Sequence, residues 1–327
     1  MAGATIRDVA RRAEVSVASV SRALNNLANV HPDTRARVLA AAKELGYVPH
    51  AGARSLSLAR THAIGVVLPD LHGEFFSELV RGLDREASAR GYHLLLSNIH
   101  ADHDHATKAL RTMHGRVDGL VVMAPYAGSV AIEDLLPPTL PTVMINTPRA
   151  HDGVSLRIDN RAGAEAMARH LAALGRKRIV HITGPDGNTD AQERLDGFRA
   201  ALPKDIDLVV VPGDFTEPSG EAAIARLHDD GVAFDAVFAG NDLMAVGVLR
   251  ALHQTGRAVP QDVAVCGFDD VPLAGYLSLT TIRVHMTAVG ARAAARLIDA
   301  LEGCDTGAAD EWITPELVVR ATTVTES

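Results

Sequence analysis

Residues 10–26 read ARRAEVSVASVSRALNN. Two short helical patterns lie in this stretch, one that ends near Glu14 and one that Ser16 caps and that continues to about Asn25. A turn of about three or four residues between such helices is typical of a helix-turn-helix, whose first helix braces the second inside the major groove of DNA. The stretch therefore predicts a DNA-binding domain.

The predicted DNA contacts lie at the start of the second helix. Val17 and Ala18 suit thymine methyl groups, and Arg22 suits guanine or a phosphate. The short hydroxyl donors suited to phosphates are Ser16, Ser19 and Ser21. On this local evidence a second interpretation stays open, in which Val17 and Ala18 cover a small core and Arg22 is a solvated cation.

Helical patterns on both sides complete a small all-α domain. Before the stretch, Thr5 begins a helix, and after it a third helix continues from about Pro32 to a left-handed cap at Gly46. The side chains of the third helix that are predicted to point inward are Val38, Leu39, Ala42 and Leu45. We therefore expect a helix-turn-helix domain at residues 1–46, followed by a hinge segment of small and polar residues at 47–60.

Charge is distributed unevenly along the chain. Residues 1–60 carry nine Lys and Arg against four Asp and Glu, a net charge of +5. Since the whole chain has a formal net charge of −8, the remainder carries −13. Only the basic N-terminal segment is therefore predicted to approach phosphate, because the acidic body would be repelled from DNA.

From residue 63 onward, apolar runs alternate with amphipathic helices, as in parallel βαβ construction. The predicted strands are residues 63–68, 93–97, 119–123, 142–145, 178–182, 208–211, 236–239 and 263–267. This number exceeds one ordinary doubly wound sheet, so two such lobes are predicted, with a ligand in the cleft at the carboxyl ends of the strands. The expected lobes are residues 61–158 with about 285–312, and residues 159–284 with about 313–327.

Composition and motifs disfavour several classes of protein. No run of about 18 apolar residues is present to span a membrane, and residues 1–12 are too polar for a secretory leader, so we expect a cytoplasmic protein. Cys266 and Cys304 are too few for a disulfide framework or a four-cysteine metal site. No GxSxG, P-loop, paired zinc ligands or Rossmann glycine fingerprint is present. We therefore expect no enzyme activity and no cofactor.

The segment IHADHDH at residues 99–105 clusters three histidines with two aspartates. It follows a predicted strand and precedes a predicted helix, so the aspartates are expected to cap the helix and the histidines to face water. A structural or regulatory metal is the less favoured alternative, and we expect no metal site here.

The N-terminal motifs resemble, together and in order, those of the lactose and galactose repressor (LacI/GalR) family: TIRDVA from Thr5, VSVASVSRALN from Val15 and KELGYVP from Lys43. The family usually has glycine where this chain has Glu14. In the hinge, ARSL at residues 53–56 resembles the family's hinge helix, whose leucine enters the minor groove; packing of this leucine on the body is the alternative. The resemblance implies DNA contacts at Thr5, Ser16, Val17, Ala18, Ser19, Ser21, Arg22, Asn25, Arg54 and Leu56.

The body resembles the same family and the sugar-binding periplasmic proteins that share its two-lobed fold. Matching segments are NRAG from Asn160, ITGP from Ile182, RLDGF from Arg194, FAGND from Phe238 and CGFDD from Cys266. Guanidinium, amide and carboxylate groups suit vicinal hydroxyls, although ion pairing, helix capping or a place in the core are alternatives for these side chains. The resemblance implies effector contacts at Phe75, Asn146, Asn188, Asp190, Arg194, Phe215, Asn241 and Asp269.

The resemblance implies a transcription regulator, with a repressor favoured, that binds a palindromic operator in double-stranded DNA as a homodimer. A small-molecule effector in the cleft would control its affinity for DNA; a sugar is the favoured class, with a purine or an acid as alternatives. A second hypothesis is a sugar-binding protein without a role in DNA regulation, which the basic N-terminal segment disfavours. A third hypothesis, an enzyme, has no supporting motif.

Overall fold

The computed structural model describes residues 4–25, 30–48, 60–99, 103–126, 135–147, 153–304, 307 and 310–324. The chain divides into two units, residues 1–63 with 114–118 and residues 64–113 with 119–327. The smaller unit carries the predicted helix-turn-helix, and the larger one is built on β-sheets. Two predicted hinge contacts, Arg54 and Leu56, lie outside the described residues.

The helices of the smaller unit are α1 (Ile6–Ala13), α2 (Val17–Leu24) and α3 (Pro32–Glu44). Thr5 caps α1 through a reciprocal pair, in which its hydroxyl accepts the Asp8 N–H and its own N–H donates to the Asp8 carboxylate. Ser16 caps α2 by accepting the Ser19 N–H, and Gly46 has a left-handed φ of 59° after α3. These caps confirm the three helices that the sequence predicts.

A small core holds α1, α2 and α3 together. Each helix contributes one fully buried valine, namely Val9, Val20 and Val38. The prediction that Leu39 points inward is wrong, because its side chain is 50% exposed. The buried face of α3 follows Val38, Ala41 and Ala42 with Leu45 packed at its edge, which is the spacing of one helical face, and position 39 lies beside that face.

From Ala63 onward, strands and helices alternate along the chain. Their order is β1 (Ala63–Leu68), α4 (Glu74–Ala89), β2 (His93–Asn98), α5 (His103–Met113), β3 (Gly119–Met123), β4 (Thr142–Ile145), β5 (Val154–Ile158), α6 (Asn160–Ala173), β6 (Arg178–Ile182), α7 (Thr189–Ala201), β7 (Asp207–Val211), α8 (Glu217–Asp229), β8 (Ala236–Ala239), α9 (Asp242–Gln254), β9 (Ala264–Cys266), α10 (Pro272–Tyr276), β10 (Thr281–Arg283), α11 (Met286–Leu301), β11 (Asp310–Ile313) and β12 (Glu316–Val318).

Two sheets define two lobes. The first lobe has a six-stranded sheet with the order β11-β5-β4-β3-β1-β2, and the second has a four-stranded sheet with the order β7-β6-β8-β9. In the first sheet, β3 pairs in parallel with β1 and β4, and β5 pairs in parallel with β4 and β11. In the second sheet, β6 pairs in parallel with β7 and β8, and β8 pairs in parallel with β9. A third, antiparallel pair of β10 and β12 packs on α6. The chain therefore crosses between the lobes after β5, after β10 and after β11.

Two glycines let α4 and α11 pack backbone to backbone in the first lobe. A Cβ built on Gly82 would lie 1.9 Å from the Thr287 carbonyl oxygen, and one built on Gly290 would lie 2.1 Å from the Leu79 carbonyl oxygen. Real Cβ atoms do not approach an oxygen so closely, so neither position accepts a larger side chain without a shift of the helix. This pair covers the sheet beneath it and buries Leu79, Leu83 and Leu297.

All eight predicted strands are present, with small differences at their ends. Four further strands, β5, β10, β11 and β12, were not predicted. The reason is visible in their sequences, because β10 and β12 have three residues each and β11 begins with two acidic residues. β5 carries Ser155 and Arg157 among its apolar residues, so it lacks a continuous apolar run.

Candidate functional site

A cavity of about 120 Å³ lies between the two lobes, at the carboxyl ends of their strands. The segments that follow β1 and β3 contribute from the first lobe, and those that follow β6, β7, β8 and β9 contribute from the second. The residues that line it are Pro69, Asp70, His72, Phe75, Phe76, Met123, Pro125, Tyr126, Pro185, Asn188, Asp190, Arg194, Asp214, Phe215, Thr216, Asn241, Leu243, Asp269 and Val271. Parallel α/β sheets bind their ligands at this edge.

Arg194 is the buried cation of the cavity, with 3% of the residue exposed. Its Nε donates to the Asn160 Oδ1 over 2.9 Å, and one terminal nitrogen donates to the Gly240 carbonyl over 2.6 Å. The other terminal nitrogen lies 3.4 Å from the Asp269 Oδ1. Its guanidinium also stacks 3.8 Å from the centre of the Phe268 ring.

These contacts leave part of the Arg194 guanidinium for a ligand. The group has five N–H donors, and the described residues engage three of them. The remaining two N–H groups belong to the terminal nitrogens, which are held in place by their other hydrogen bonds. Arg194 is therefore a fixed donor fork in the wall of the cavity.

Two carboxyl groups share this wall. Burial raises the pKa of Asp190 to about 6 and that of Asp269 to about 7, and the charge of Arg194 opposes the rise in both. The backbone of Asp269 has a left-handed φ of 111°, and its N–H donates to the Ile282 carbonyl of β10. The crossing strand β10 thus fixes the position of Asp269 over the cavity.

Amide side chains hold the helices that open towards the cavity. Asn188 caps α7 by accepting the Ala191 N–H, and Asn241 caps α9 by accepting the Met244 N–H. The Asn241 Nδ2 also donates to the Phe215 carbonyl over 3.0 Å. Capping, which the sequence left open as an alternative for Asn241, therefore occurs together with a place in the cavity wall.

Aromatic side chains supply the apolar part of the cavity. Phe75 and Phe76 meet edge to face, with ring centroids 5.1 Å apart. Phe215 approaches from the second lobe, and its ring centroid lies 5.6 Å from the Arg194 guanidinium carbon. Flat apolar rings beside fixed polar groups suit a ring-shaped ligand with hydroxyl groups on its rim.

The structure brings seven of the eight predicted effector residues to this cavity, namely Phe75, Asn188, Asp190, Arg194, Phe215, Asn241 and Asp269. The eighth, Asn146, is buried behind Asp190 and is not among the lining residues. Several lining residues were not predicted, among them Asp70, Phe76, Tyr126 and Asp214. Three of them, Asp70, Tyr126 and Asp214, follow the ends of β1, β3 and β7 by two or three residues. A polar residue just after a strand is the sequence pattern that could have predicted them as cavity residues.

The start of α2 presents the predicted DNA-contacting side chains at the surface of the smaller unit. Val17 is 42% exposed, although it is apolar, and Ser16, Ala18 and Arg22 are also exposed. The Arg22 Nε donates to the Ala18 carbonyl over 3.3 Å, one turn earlier in the helix. Ser19, Ser21 and Asn25 are partly buried, and exposed Thr5 has its hydroxyl bonded to Asp8.

The turn before α2 departs from the backbone region that most residues adopt. Glu14 has φ 54° and ψ 45°, the left-handed conformation, and its N–H is directed at the carbonyls of Ala10 and Arg11. This conformation costs an L-residue roughly 1–2 kcal/mol relative to the right-handed one. The turn geometry is therefore kept by a residue other than the glycine that the family usually has there.

Within the part of the chain that the structure describes, no group of three or more histidine, cysteine or acidic side chains is arranged to hold a metal ion. The segment at residues 99–105 lies partly outside that part, so its predicted lack of a metal stays a prediction. Cys266 is buried in β9 and Cys304 is exposed. Across the described residues, every helix is too short or too polar to cross a membrane.

A helix-turn-helix unit and a two-lobed α/β unit with a polar cavity define the class of ligand-responsive DNA-binding proteins. Residues 5–50 match the protein-family model described as bacterial regulatory proteins, lacI family, and residues 168–323 match the periplasmic binding protein-like domain. Over 288 residues the chain is 41% identical to the ribose operon repressor of Escherichia coli strain K12. The aligned region covers 85% of this chain and 87% of that repressor. The chain belongs to the LacI family of bacterial regulatory proteins.

Solved structures share the same architecture. The lac repressor dimer bound to operator and the anti-inducer ONPF matches with a TM-score of 0.87 at 27% identity, covering 99% of this chain and 100% of that one. A complex of the transcriptional regulator CelR with cellobiose matches with a TM-score of 0.72 at 30% identity, covering 98% and 99%. The chain is thus a DNA-binding transcription regulator and not an enzyme, and the predicted fold class is confirmed.

Proposed function

We propose that this chain is a cytoplasmic repressor that binds a two-fold symmetric operator as a homodimer, and that a neutral monosaccharide in the cavity controls its affinity for DNA. The observation that carries the proposal is the set of buried polar groups in the cavity wall, Arg194 with Asp190 and Asp269, beside the rings of Phe75 and Phe215. Carboxylates and a guanidinium fork bind vicinal hydroxyls, and rings pack on the apolar face of a sugar.

The charges of the wall favour a neutral ligand over an acid or a phosphate. Four aspartates border the cavity, namely Asp70, Asp190, Asp214 and Asp269. The buried cation there is Arg194, which already forms an ion pair with Asp269. Near pH 7 Asp269 is partly protonated, but an anion would still meet the carboxylates of Asp190, Asp70 and Asp214 against one guanidinium, and Asp70 and Asp214 are exposed. Sugars without charged substituents avoid that repulsion.

The size of the cavity favours a single sugar ring. Its volume of about 120 Å³ is similar to that of the ~150 Å³ cavity that holds one benzene molecule in an engineered protein. The ribose operon repressor is named for a monosaccharide, whereas the CelR structure contains a disaccharide. We therefore place a pentose first and other monosaccharides second among the ligands to be tested.

We propose two sets of contact residues. The effector set is Phe75, Asn188, Asp190, Arg194, Phe215, Asn241 and Asp269, which border the cavity. The DNA set is Thr5, Ser16, Val17, Ala18, Ser19, Ser21, Arg22 and Asn25, with Arg54 and Leu56 in the hinge. The domain boundaries remain those expected from the sequence: 1–46, 47–60, 61–158 with about 285–312, and 159–284 with about 313–327.

Dimerisation follows from the small size of one helix-turn-helix. A single unit enters one major groove and covers few base pairs, so two units spaced by about one helical turn of DNA are needed for a specific site. Linking two such units raises the overall affinity because the second binding event becomes intramolecular. A palindromic operator is the matching DNA.

Selection from a random duplex library tests the proposal. The purified full-length chain is incubated with the library, bound DNA is recovered over several rounds, and the recovered sequences are aligned. We expect an enriched palindrome whose half-sites are about 10 base pairs apart. If no palindrome is enriched while D-ribose or another monosaccharide still binds, the chain is a sugar-binding protein without the proposed role in DNA regulation.

A further inference from the structure

Asn146 and Asp190 meet across the cleft between the two lobes. Asn146 follows β4 of the first lobe, and Asp190 lies in the first turn of α7 in the second lobe. The Asn146 Nδ2 donates to the Asp190 Oδ2 over 3.1 Å, and both residues are more than nine-tenths buried. A hydrogen bond to a buried carboxylate is among the stronger ones in proteins, so this contact joins the lobes.

The remaining atoms of the two side chains are tied to the place where the chain crosses between the lobes. The Asn146 Oδ1 accepts the Ile158 N–H over 2.8 Å, and the Asp190 Oδ1 accepts from the Asn160 Nδ2 over 3.0 Å. Ile158 is the last residue of β5 and Asn160 is the first residue of α6. The pair is therefore anchored on both sides of the crossing.

Only one member of the pair borders the cavity. Asp190 is a lining residue, whereas Asn146 is not among the described residues that line it. Asn146 also has a left-handed φ of 46°, in which its side chain bonds to both Ile158 and Asp190. We infer that Asn146 is a positioning residue, which closes the cleft by holding Asp190 and makes no contact with the effector. The existence of an effector rests on the proposed function, but the closure itself does not.

Two hydrogen bonds that backbone amides donate across the cleft report on its closure. The Thr189 N–H of the second lobe donates to the Pro125 carbonyl of the first lobe over 2.8 Å. On α10, the Leu273 N–H donates to the Glu74 carboxylate over 2.8 Å. Opening of the cleft breaks both bonds, so the hydrogen exchange of these two amides measures closure without any ligand.

Two substitutions separate the proposed role from a general loss of packing. Asn146→Asp keeps an oxygen for the Ile158 N–H but places a second carboxyl group against Asp190. Once both carboxyl groups are ionised, the donor is lost and like charges repel. In the double variant Asn146→Asp/Asp190→Asn, the amide at position 190 donates to the carboxylate at position 146. Its oxygen still accepts from Asn160, so the hydrogen bond across the cleft is restored with its direction reversed.

Hydrogen exchange of the full-length chain at pH 9, without added sugar, tests the inference, because at lower pH a proton shared between the two carboxyl groups would replace the lost donor. We expect Asn146→Asp to raise exchange at Thr189 and Leu273 by about tenfold or more, the scale of a lost hydrogen bond to a charged group. The double variant is expected to return both amides to the wild-type rate. The matched control is Asn98→Asp, which places a carboxylate beside Asp70 within the first lobe, where Asn98 and Asp70 are 3.5 Å apart. It is expected to leave both amides unchanged.

The amides of β3 serve as the check of folding, because this strand is buried along its length. The inference is wrong if Asn146→Asp leaves Thr189 and Leu273 as protected as in the wild type. It is also wrong if the double variant keeps β3 protected while Thr189 and Leu273 exchange fast. Should Asn146→Asp alone not fold, wild-type protection in the double variant supports the inference. Failure of the proposed function is seen separately, as the absence of any sugar effect on operator binding.

Discussion

Glu14, in the smaller unit, has a left-handed backbone conformation that glycine adopts more readily than glutamate. Its left-handed backbone is required because the N–H of Glu14 and the N–H of Val15 both turn back to carbonyls at the end of α1. Glycine adopts this conformation without the steric cost that a Cβ brings. The turn between α1 and α2 thus has the shape of a helix-turn-helix at a small cost in stability.

Replacement of Glu14 by glycine is expected to stabilise the smaller unit by up to about 1 kcal/mol, the relief of the left-handed penalty less the flexibility gained in the unfolded chain. Glu14→Ala is the control, because alanine keeps the Cβ and is expected to change little. The measurement is the exchange rate of the Val15 amide, which donates to the Ala10 carbonyl over 3.0 Å. Equal exchange in the glycine and alanine variants would mean that the turn is not strained.

Arg22 is the exposed cation on the outer face of α2. Arg22→Ala is expected to cost about 1 to 3 kcal/mol of binding free energy on the selected operator and to relax the base preference at one position of each half-site. The control is Arg11→Ala on α1, another exposed arginine, which is expected to affect operator and random DNA equally. Fluorescence anisotropy on both kinds of duplex is the measurement. An equal loss on both duplexes for Arg22→Ala would reduce Arg22 to a phosphate contact.

The raised pKa values of Asp190 and Asp269 predict how stability varies with pH. Both groups keep protons in the folded state, up to about pH 6 and 7, that they release near pH 4 in the unfolded state. Because these two groups bind more protons in the folded state in this window, their contribution to the free energy of unfolding falls as pH rises from about 4 to 7. Burial lowers the pKa of His181 to about 4, so this group contributes in the opposite direction, and only a comparison with a variant isolates the aspartates. Asp269→Asn removes one of the two titrations. The Tm of the wild type minus the Tm of this variant is therefore expected to decrease as pH rises from about 4 to 7. A Tm difference that does not vary with pH would contradict the raised pKa of Asp269.

At the scale of elements, close helix packing in the first lobe depends on Gly82 and Gly290. Neither residue was singled out from the sequence, because a glycine inside a helical pattern predicts only a local cost in helix propensity. The need for glycine arises from the α11 backbone, which lies more than 200 residues further along the chain from Gly82. A contact of this kind is a property of the fold and is not encoded within a window of sequence.

Gly82→Ala is expected to lower the free energy of unfolding by about 1 to 3 kcal/mol, the usual cost of an overpacked core position. Its methyl group would overlap the Thr287 carbonyl oxygen, so α4 and α11 must separate. Gly275→Ala is the matched control, because a Cβ there meets nothing within 4 Å. Thermal unfolding of both variants is the measurement. A Tm for Gly82→Ala equal to that of the control would show that the two helices are not in backbone contact.

The strands with continuous apolar runs were predictable, and the strands that lack such a run, because they are interrupted by polar residues or have only three residues, were not. Continuous apolar runs, such as those of β3 and β8, predict buried strands. Capping residues, such as those before α1 and α2, predict where a helix begins. The ribbon of β10 and β12 has no such signal, since three residues carry no periodicity. Yet β10 and its neighbours bring Arg283 and Arg320 to Asp270 and fix the loop that presents Asp269.

At the scale of the whole molecule, the cavity combines residues from six separate strand ends. Asn241 and Asp269 each follow a predicted strand by two residues, and Arg194 was expected beside a strand end as well, so the sequence predicted much of the second lobe's wall. The expected position of Arg194 is wrong, because it lies inside α7 and reaches the cavity from the helix. The sequence did not predict Tyr126 or Asp70 of the first lobe, because a polar residue after a strand has no partner until the two lobes are placed face to face. The same argument explains Asn146, whose role depends on the distance to Asp190 and not on its neighbours in sequence.

The central claim is that ligand binding at Arg194 controls binding of DNA by α2. The most direct test is a titration of D-ribose and other neutral monosaccharides into the complex of the full-length chain with its selected operator, followed by fluorescence anisotropy. We predict that one of these sugars changes the wild-type Kd for operator at least about tenfold, within the usual range of allosteric coupling, and that Arg194→Ala binds operator as the wild type does but no longer responds. An undiminished response in Arg194→Ala, or a wild-type complex indifferent to every sugar, would contradict the claim.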